Sequence, residues 1–287
     1  MAFTALVSDS TASLDPAFVA EHNIRVIPLY IKMGEETLRD GVDITPDVFY
    51  QRLPNTSPLP TTSQPSAGDF LTVYRELVSQ GASGIISVHL SSGISGTINS
   101  ATLAAEQVPE VPIRIMDTRC AVGAHRFAVE AAALALKRGA TMDEAVARCQ
   151  AVIDQQKTIF AVDTLEYLYK GGRIGGAAAL MGSLLQFKPL LYFQDGKIDA
   201  LERVRKSSKA LERMVEIMVE WVQGQGPVRV ILMHAACPER AEAAAELLRQ
   251  KLTITDLCAV PLSPVIGAHV GNGTLGICCC PEALFQG

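Results

Sequence analysis

One junction constrains this chain more than any other. The apolar run Gly84-Ile85-Ile86-Ser87-Val88-His89-Leu90 is strand-like, Ser91-Ser92-Gly93-Ile94-Ser95-Gly96-Thr97 is small and polar, and Ile98 to Val108 is helix-like. A Gly/Ser loop between a strand end and a helix start belongs to parallel α/β sheets, where ligand crevices open at the C-terminal ends of strands. The first helical turn carries unpaired N–H groups and the positive end of the helix dipole. Small residues let an anion approach those groups, so the loop suits a carboxylate or phosphate.

The flanking segments repeat the same alternation. Phe3 to Ser8 reads as a strand closed by Asp9-Ser10-Thr11, and Pro16 to His22 as a helix capped by Asp15. Ile24 to Ile31 reads as a strand. Lys32 to Pro60 reads as a polar excursion with one short helix, Pro46 to Leu53. Pro65 to Gln80 reads as a helix with a Ser66/Asp69 capping box. Ile113 to Met116 is strand-like and ends at Asp117-Thr118. Ala128 to Lys137 reads as a helix stopped by Gly139, and Thr141 and Glu144 cap another that reaches Gln155. This rhythm predicts a parallel sheet with helices on both faces.

The second half reads differently. Asp195-Gly196 between Leu191 and Ile198 marks a hairpin, because both turn residues suit positive φ. Strands at Ile159–Val162 and Val228–His234, and helices at Lys209–Val222 and Pro238–Lys251, surround it. Ala259–Leu262 and Leu275–Cys280 read as strands flanking a loop, Gly267 to Gly273. A hairpin among α/β units predicts a mixed sheet. The fold expected is α/β in two domains: residues 1–157 with the anion-binding loops, and residues 158–287 as a second α/β unit.

Composition excludes several classes of function. Net charge is −5 with no basic run, which argues against a nucleic-acid partner. No apolar run is long enough to span a bilayer, and Met1-Ala2-Phe3-Thr4 lacks the pattern of a secretory signal. A soluble cytoplasmic protein is the expectation. The seven cysteines show no Cys-x-x-Cys spacing, so Cys278-Cys279-Cys280 reads as a buried strand rather than a metal or redox site.

Candidate chemistry concentrates in a few places. Thr61-Thr62-Ser63-Gln64-Pro65-Ser66 is a second hydroxyl-rich stretch before a helix, with Pro65 placed for the first turn. Two such entrances in one chain point to a shared anion site. The Ser91–Thr97 loop lacks the Gly-Lys-Ser/Thr ending of a phosphate loop and the third glycine of a dinucleotide fingerprint. It approaches a nucleophile elbow, and Ser95, His269 and Asp9 would be the triad of a serine hydrolase. His269 lies among glycines and reads as a ligand-contacting histidine in a loop, whereas His89 reads as a packed strand residue. Arg173, Arg203 and Arg205 read as solvated cations at a helix end and an exposed strand edge. Ala177 to Leu185 is apolar on nearly every side and reads as a buried helix or a cavity wall.

Taken together, these segments resemble the DegV family of bacterial fatty-acid-binding proteins. The resemblance rests on Val7-Ser8-Asp9-Ser10-Thr11, Thr62-Ser63-Gln64-Pro65-Ser66, Ser91 to Thr97, Asp117-Thr118, Gly171-Gly172-Arg173-Ile174, Lys188-Pro189 and Gly267 to Gly276, in order along nearly the whole chain. Val270 and Asn272 depart from the Thr and Pro more usual there. The resemblance implies one long-chain fatty acid between two α/β domains and no other cofactor. It implies a carboxylate held by Thr62 and Ser95 with His269 nearby, and Ser63, Ser91, Ser92 and Gly96 as further candidates. It also implies a carrier, not an enzyme, that presents the acid to a separate fatty-acid kinase, with Arg173 and Arg205 orienting that encounter. Transient membrane contact fits such a role. Neutral hydroxyls alone are expected around the carboxylate, so that phosphorylation breaks no tight ion pair. The rival readings are a serine hydrolase of acyl esters through Ser95 and His269, and a kinase-associated regulatory module.

Overall fold

The computed structural model describes residues 3–183, 187–205 and 207–286. β1 (Phe3–Asp9) leads through a 3-10 turn to α1 (Pro16–Glu21), where the Asp15 carboxylate accepts the Ala17 amide. The expected strand Ile24–Ile31 is two strands, β2 (Arg25–Ile27) and β3 (Tyr30–Met33), separated at Pro28, which has no N–H to give a ladder. The excursion after it is not irregular. β3 turns at Gly34 (φ 61°) and pairs antiparallel with β4 (Glu36–Arg39) before α2 (Pro46–Arg52).

Thr61–Ser63 is β5, added to the other edge of β3, and not a helix entrance. Ser66 caps α3 (Ala67–Ser79) in a complete capping box with Asp69, so Pro65 stands before the helix. β6 (Ala82–His89) then leads through the Gly/Ser loop into α4 (Thr97–Ala105), followed by β7 (Ile113–Asp117). α5 (Gly123–Lys137) begins five residues earlier than expected, and α6 (Met142–Gln155) has the expected Thr141/Glu144 capping box.

β8 (Lys157–Ala161) and α7 (Glu166–Lys170) open the second half. Gly175–Ser183 is a 3-10 helix with Ala177 and Leu180 buried and Met181 exposed, not a wholly buried helix; positions 184 and 185 of that expectation lie outside the described residues. β9 (Lys188–Gln194) and β10 (Lys197–Val204) form the hairpin, with Asp195 and Gly196 at φ 50° and 78° as a two-residue primed turn requires. α8 (Ser207–Val222), β11 (Val228–His234), α9 (Pro238–Arg249) and β12 (Ile254–Pro261) follow. The supposed loop at Gly267 is the middle of α10 (Pro264–Val270), which starts at a proline and leads into β13 (Leu275–Pro281). Gly267 lowers helix propensity, but its bare Cα lets Phe49 and Tyr50 of α2 close on the helix.

The strands make three sheets. β2-β1-β6-β7 is parallel, β4-β3-β5 is small and antiparallel, and β10-β9-β8-β13-β11-β12 is mixed with one parallel pair, β11–β12. The layers run α3/α4, parallel sheet, α5/α6, mixed sheet, α8/α9. Both faces of the parallel sheet are covered, so its strands are apolar throughout: Leu6, Ile86 and Val88 face the central core, while Val7 and Ile85 face α3 and α4. In β13, Cys278 and Cys280 face the central core and Cys279 faces the α8 side. Burial pushes the Cys280 thiol up to about 12, so these residues pack as small hydrophobes. Among the described residues, no helix is long and apolar enough to cross a membrane, and no cluster of His, Cys, Asp and Glu is arranged to hold a metal ion.

Candidate functional site

A cavity of about 280 Å³ lies between the loops of the parallel sheet and the inner face of the mixed sheet. Its walls are mostly apolar: Leu29, Leu90, Ile94, Val122, Phe160, Phe193, Ile198, Met233, Leu262 and Val265. Thr62, Ser63, Gln64, Ser95, Arg173 and His269 also line it, and Thr158 adds one further hydroxyl. An apolar cavity with a few convergent polar groups is the usual form of a small-molecule site.

Thr62 and His269 meet directly. β5 carries Thr62, the last turn of α10 carries His269, and Thr62 Oγ1 lies 2.7 Å from His269 Nε2. Burial, with Arg173 nearby, pushes the imidazole down to about 4, so it is neutral at pH 7. His269 Nδ1 is buried and has no partner among the described residues. In the tautomer where Nε2–H donates to Thr62 Oγ1, the Thr62 hydroxyl proton is free for an acceptor in the cavity.

Ser95 comes from the other side. Its hydroxyl lies 2.9 Å from Thr97 Oγ1 and accepts the Thr97 amide at 3.3 Å, in the first turn of α4. Gln64 ties the two loops together, accepting the Gly96 amide at 3.1 Å and donating to Ser100 Oγ at 3.3 Å. Gly96 is outside the cavity lining; a Cβ there would run into the Gln64 amide, so the glycine serves the strap. Ser63 lines the cavity, whereas Ser91 and Ser92 do not. Ser91 Oγ donates to Gly196 O at 2.6 Å, pinning the loop to the β9–β10 turn, and Ser92 Oγ donates to Asp117 Oδ2 at 2.5 Å.

The expectation of neutral hydroxyls alone is corrected. The Arg173 guanidinium is part-buried in the lining, with Nε donating to Ile94 O at 3.1 Å and Nη1 to Gly171 O at 2.7 Å. Arg205 is elsewhere: it is exposed, 5.8 Å from the centre of the Phe187 ring. An open groove formed by residues 56–62 and by Tyr167, Lys170 and Gly171 reaches Thr62, Arg173 and His269 from outside.

The hydrolase triad is not assembled. Asp9 is fully buried and accepts the Thr11 and Leu90 amides, the Thr11 hydroxyl, and His89 Nδ1 at 3.0 Å. His89 Nε2 lies 2.6 Å from Ser87 Oγ, which in turn meets Tyr74 Oη, so His89 belongs to a polar network and is not simply packed. His125 joins from α5, with Nε2 2.9 Å from both Val88 O and Ser8 Oγ. Burial alone would raise the Asp9 carboxyl, but His125, His89 and Thr11 beside it hold it down at about 2. Asp9 therefore braces strand ends, and Ser95 and His269 each hold a different partner.

Sequence reasoning did not find Val122, which lines the cavity at φ 52°, a strained setting for a β-branched residue. No local pattern announces it, since the strain comes from the start of α5.

A family model described as "Uncharacterised protein, DegV family" matches residues 4–282. A DegV domain-containing protein of Streptomyces coelicolor is 41% identical over 274 residues, covering 95% of this chain and 96% of that one. Protein DegV of Bacillus subtilis is 36% identical over 279 residues, covering 96% and 98%. Among solved structures, a fatty-acid-binding DegV family protein from Thermus thermophilus superposes with a TM-score of 0.92 at 33% identity, over 97% of this chain and 99% of that one. The B. subtilis DegV structure, described as a fatty acid binding protein, gives 0.89 at 33% identity over 98% and 100%. With nearly the whole chain matched in sequence and in fold, the protein belongs to the DegV family.

Proposed function

We propose that this protein binds one long-chain fatty acid in the cavity between its sheets and carries it as a soluble, cytoplasmic substrate for a separate fatty-acid kinase. The observation that carries the reading is the apolar cavity whose polar residues include Thr62, paired with His269. Residues 1–157 supply Thr62, Ser63 and Ser95, and residues 158–287 supply most of the acyl-chain wall together with His269 and Arg173. The T. thermophilus and B. subtilis relatives that bind fatty acids share this fold at 33% identity.

The energetics support an acyl ligand. Burying about fourteen methylenes gains on the order of 11 kcal/mol before ordering costs. Two hydroxyls and one guanidinium then fix the carboxylate at one end. In this reading His269 is a positioning residue that directs the Thr62 proton toward the ligand. The outer groove gives a kinase access to the same carboxylate, which attacks the γ-phosphorus of ATP and releases ADP. Arg173 anchors the acid from inside, and the exposed Arg205 is left to meet the partner.

Denaturing extraction of the purified protein followed by mass spectrometry tests the core of this reading. One long-chain fatty acid per chain is the expected result. An empty protein that takes up no added fatty acid would overturn it. For the kinase step, Arg205→Ala should slow phosphorylation while the fatty acid stays bound.

A further inference from the structure

One face of the mixed sheet forms the floor of the cavity. Met233, Gly276, Phe160 and Leu191 stand in one row across β11, β13, β8 and β9, and Cys278, Thr158, Phe193 and Ile198 stand in the neighbouring row across β13, β8, β9 and β10. The Arg173 and Ser95 side of the polar end sits over β10. Gly93 packs on Gly196, the backbone just after Arg173 packs on Ile198 at Gly175, and Arg173 holds Ile94. Met233 is four strands away, on β11. At ordinary strand spacing β10 and β11 lie about 19 Å apart, the length scale of a long acyl chain.

Gly276 leaves a notch in this floor, and Met233 fills it. A Cβ on Gly276 would come 2.7 Å from Met233 Cε and 3.4 Å from the Phe160 Cβ. The sulfur of Met233 is held separately: the Gly123 amide, at the start of α5, donates to Sδ at 3.3 Å. The thioether is thus held at its sulfur, which leaves its methyl as the part free to turn. Methionine has the flexibility to form an adaptable end wall.

We propose that Met233, with its methyl seated over Gly276, is the stop that sets the length of the acyl chain this protein accepts. The proposal rests on the fatty-acid reading above. It makes length preference a property of one side chain and of the notch that receives it. Gly276 lacks positive φ, so an alanine there meets no left-handed backbone strain; its closest contact is the Met233 methyl, with the Phe160 Cβ at 3.4 Å, and it acts chiefly by pushing that methyl into the lumen.

The test loads wild type, Met233→Ala, Met233→Phe, Gly276→Ala and the Met233→Ala/Gly276→Ala double variant from an equimolar mixture of straight-chain fatty acids of graded length. The bound acids are then extracted and weighed by mass spectrometry. Met233→Ala should lengthen the preferred acid by about two carbons, the room left by the deleted side chain. Met233→Phe and Gly276→Ala should each shorten it. In the double variant the shortening by Gly276→Ala should be much smaller than in the wild-type background, because no Met233 methyl remains to be displaced; this non-additivity is the signature of contact. Should Met233→Ala fail to fold, Gly276→Ala and Met233→Phe still decide the matter. Loaded variants that all keep the wild-type length distribution overturn this proposal alone. A wild type that takes up no fatty acid overturns the functional reading and this proposal with it.

Discussion

Thr62 Oγ1 and His269 Nε2 lie 2.7 Å apart with 206 residues between them, so it is the closure of the fold that brings this hydroxyl and this imidazole together. A neutral imidazole that donates through Nε2 leaves Thr62 as a donor toward the cavity. Thr62→Val keeps the shape and removes the donor. Hydrogen bonds to charged groups contribute about 1.5–3 kcal/mol, so fatty-acid affinity should fall roughly ten- to a hundred-fold. Ser95→Ala should act in the same direction. Displacement of a fluorescent fatty acid reads the change, and unaltered retention in the double variant would remove both residues from the carboxylate site.

Gly171 offers a way to disturb this pair without touching either member. Its backbone is ordinary, yet an added Cβ would collide with His269 Nδ1 and the Tyr167 carbonyl. Gly171→Ala should therefore push the imidazole off Thr62 and cost at least ten-fold in affinity, close to the effect of Thr62→Val. Combining Gly171→Ala with Thr62→Val should add little, since both break one interaction. Fully additive losses would show that the imidazole acts independently of Thr62.

The parallel sheet and both of its capping boxes were legible because strand alternation and cap spacing are local signals. The Asp195-Gly196 hairpin was legible for the same reason, as two adjacent residues carry the required φ angles. The errors fell where long-range packing overrides propensity. α10 forms across Gly267 because Phe49 and Tyr50 close on it, and β5 forms because β3 is there to pair with. Arg173 looked like a solvated cation because its sequence neighbours are glycines. Only the fold shows that Ile94 O, 79 residues away, turns its guanidinium to the cavity. Asp9 looked like the acid of a hydrolase triad with Ser95 and His269, and its actual histidine partners come from 80 and more than 100 residues along the chain.

Two buried groups give opposite pH dependences over one window. His269 is held down at about 4 by burial and by Arg173. Between pH 4 and the ordinary histidine value of 6.5 the unfolded chain binds more protons at this site, so this contribution to stability rises with pH. Asp40 is pushed up to about 6 by burial, against hydrogen bonds from the Ser10 hydroxyl and the Val265 amide. Between its ordinary 3.8 and about 6 the folded chain binds more protons there, so this contribution falls with pH. The two slopes oppose each other. Relative to wild type, His269→Gln should lose stability progressively from pH 4 to 6.5, whereas Asp40→Asn should gain it. Urea midpoints across that range measure both, and parallel profiles for the two variants would refute the assignment.

The buried network around Asp9 should carry stability and not ligand binding. Its carboxylate accepts the Thr11 and Leu90 amides, the Thr11 hydroxyl and His89 Nδ1, and it lies outside the cavity lining. Asp9→Asn turns one acceptor oxygen into an N–H₂ donor, which leaves either the Leu90 N–H or the Thr11 pair facing another donor. Because Asp9 is fully buried, the loss should be on the order of 3 kcal/mol. Because the folded carboxyl is held at about 2, below its ordinary 3.8, this stabilisation is complete above pH 3.8 and is lost as pH falls toward 2. The difference between wild type and Asp9→Asn should therefore be constant near neutrality and shrink in acid. Fatty-acid retention by the folded variant should match wild type at pH 7. An Asp9→Asn protein that keeps full stability and loses its lipid would move Asp9 from the scaffold to the binding site.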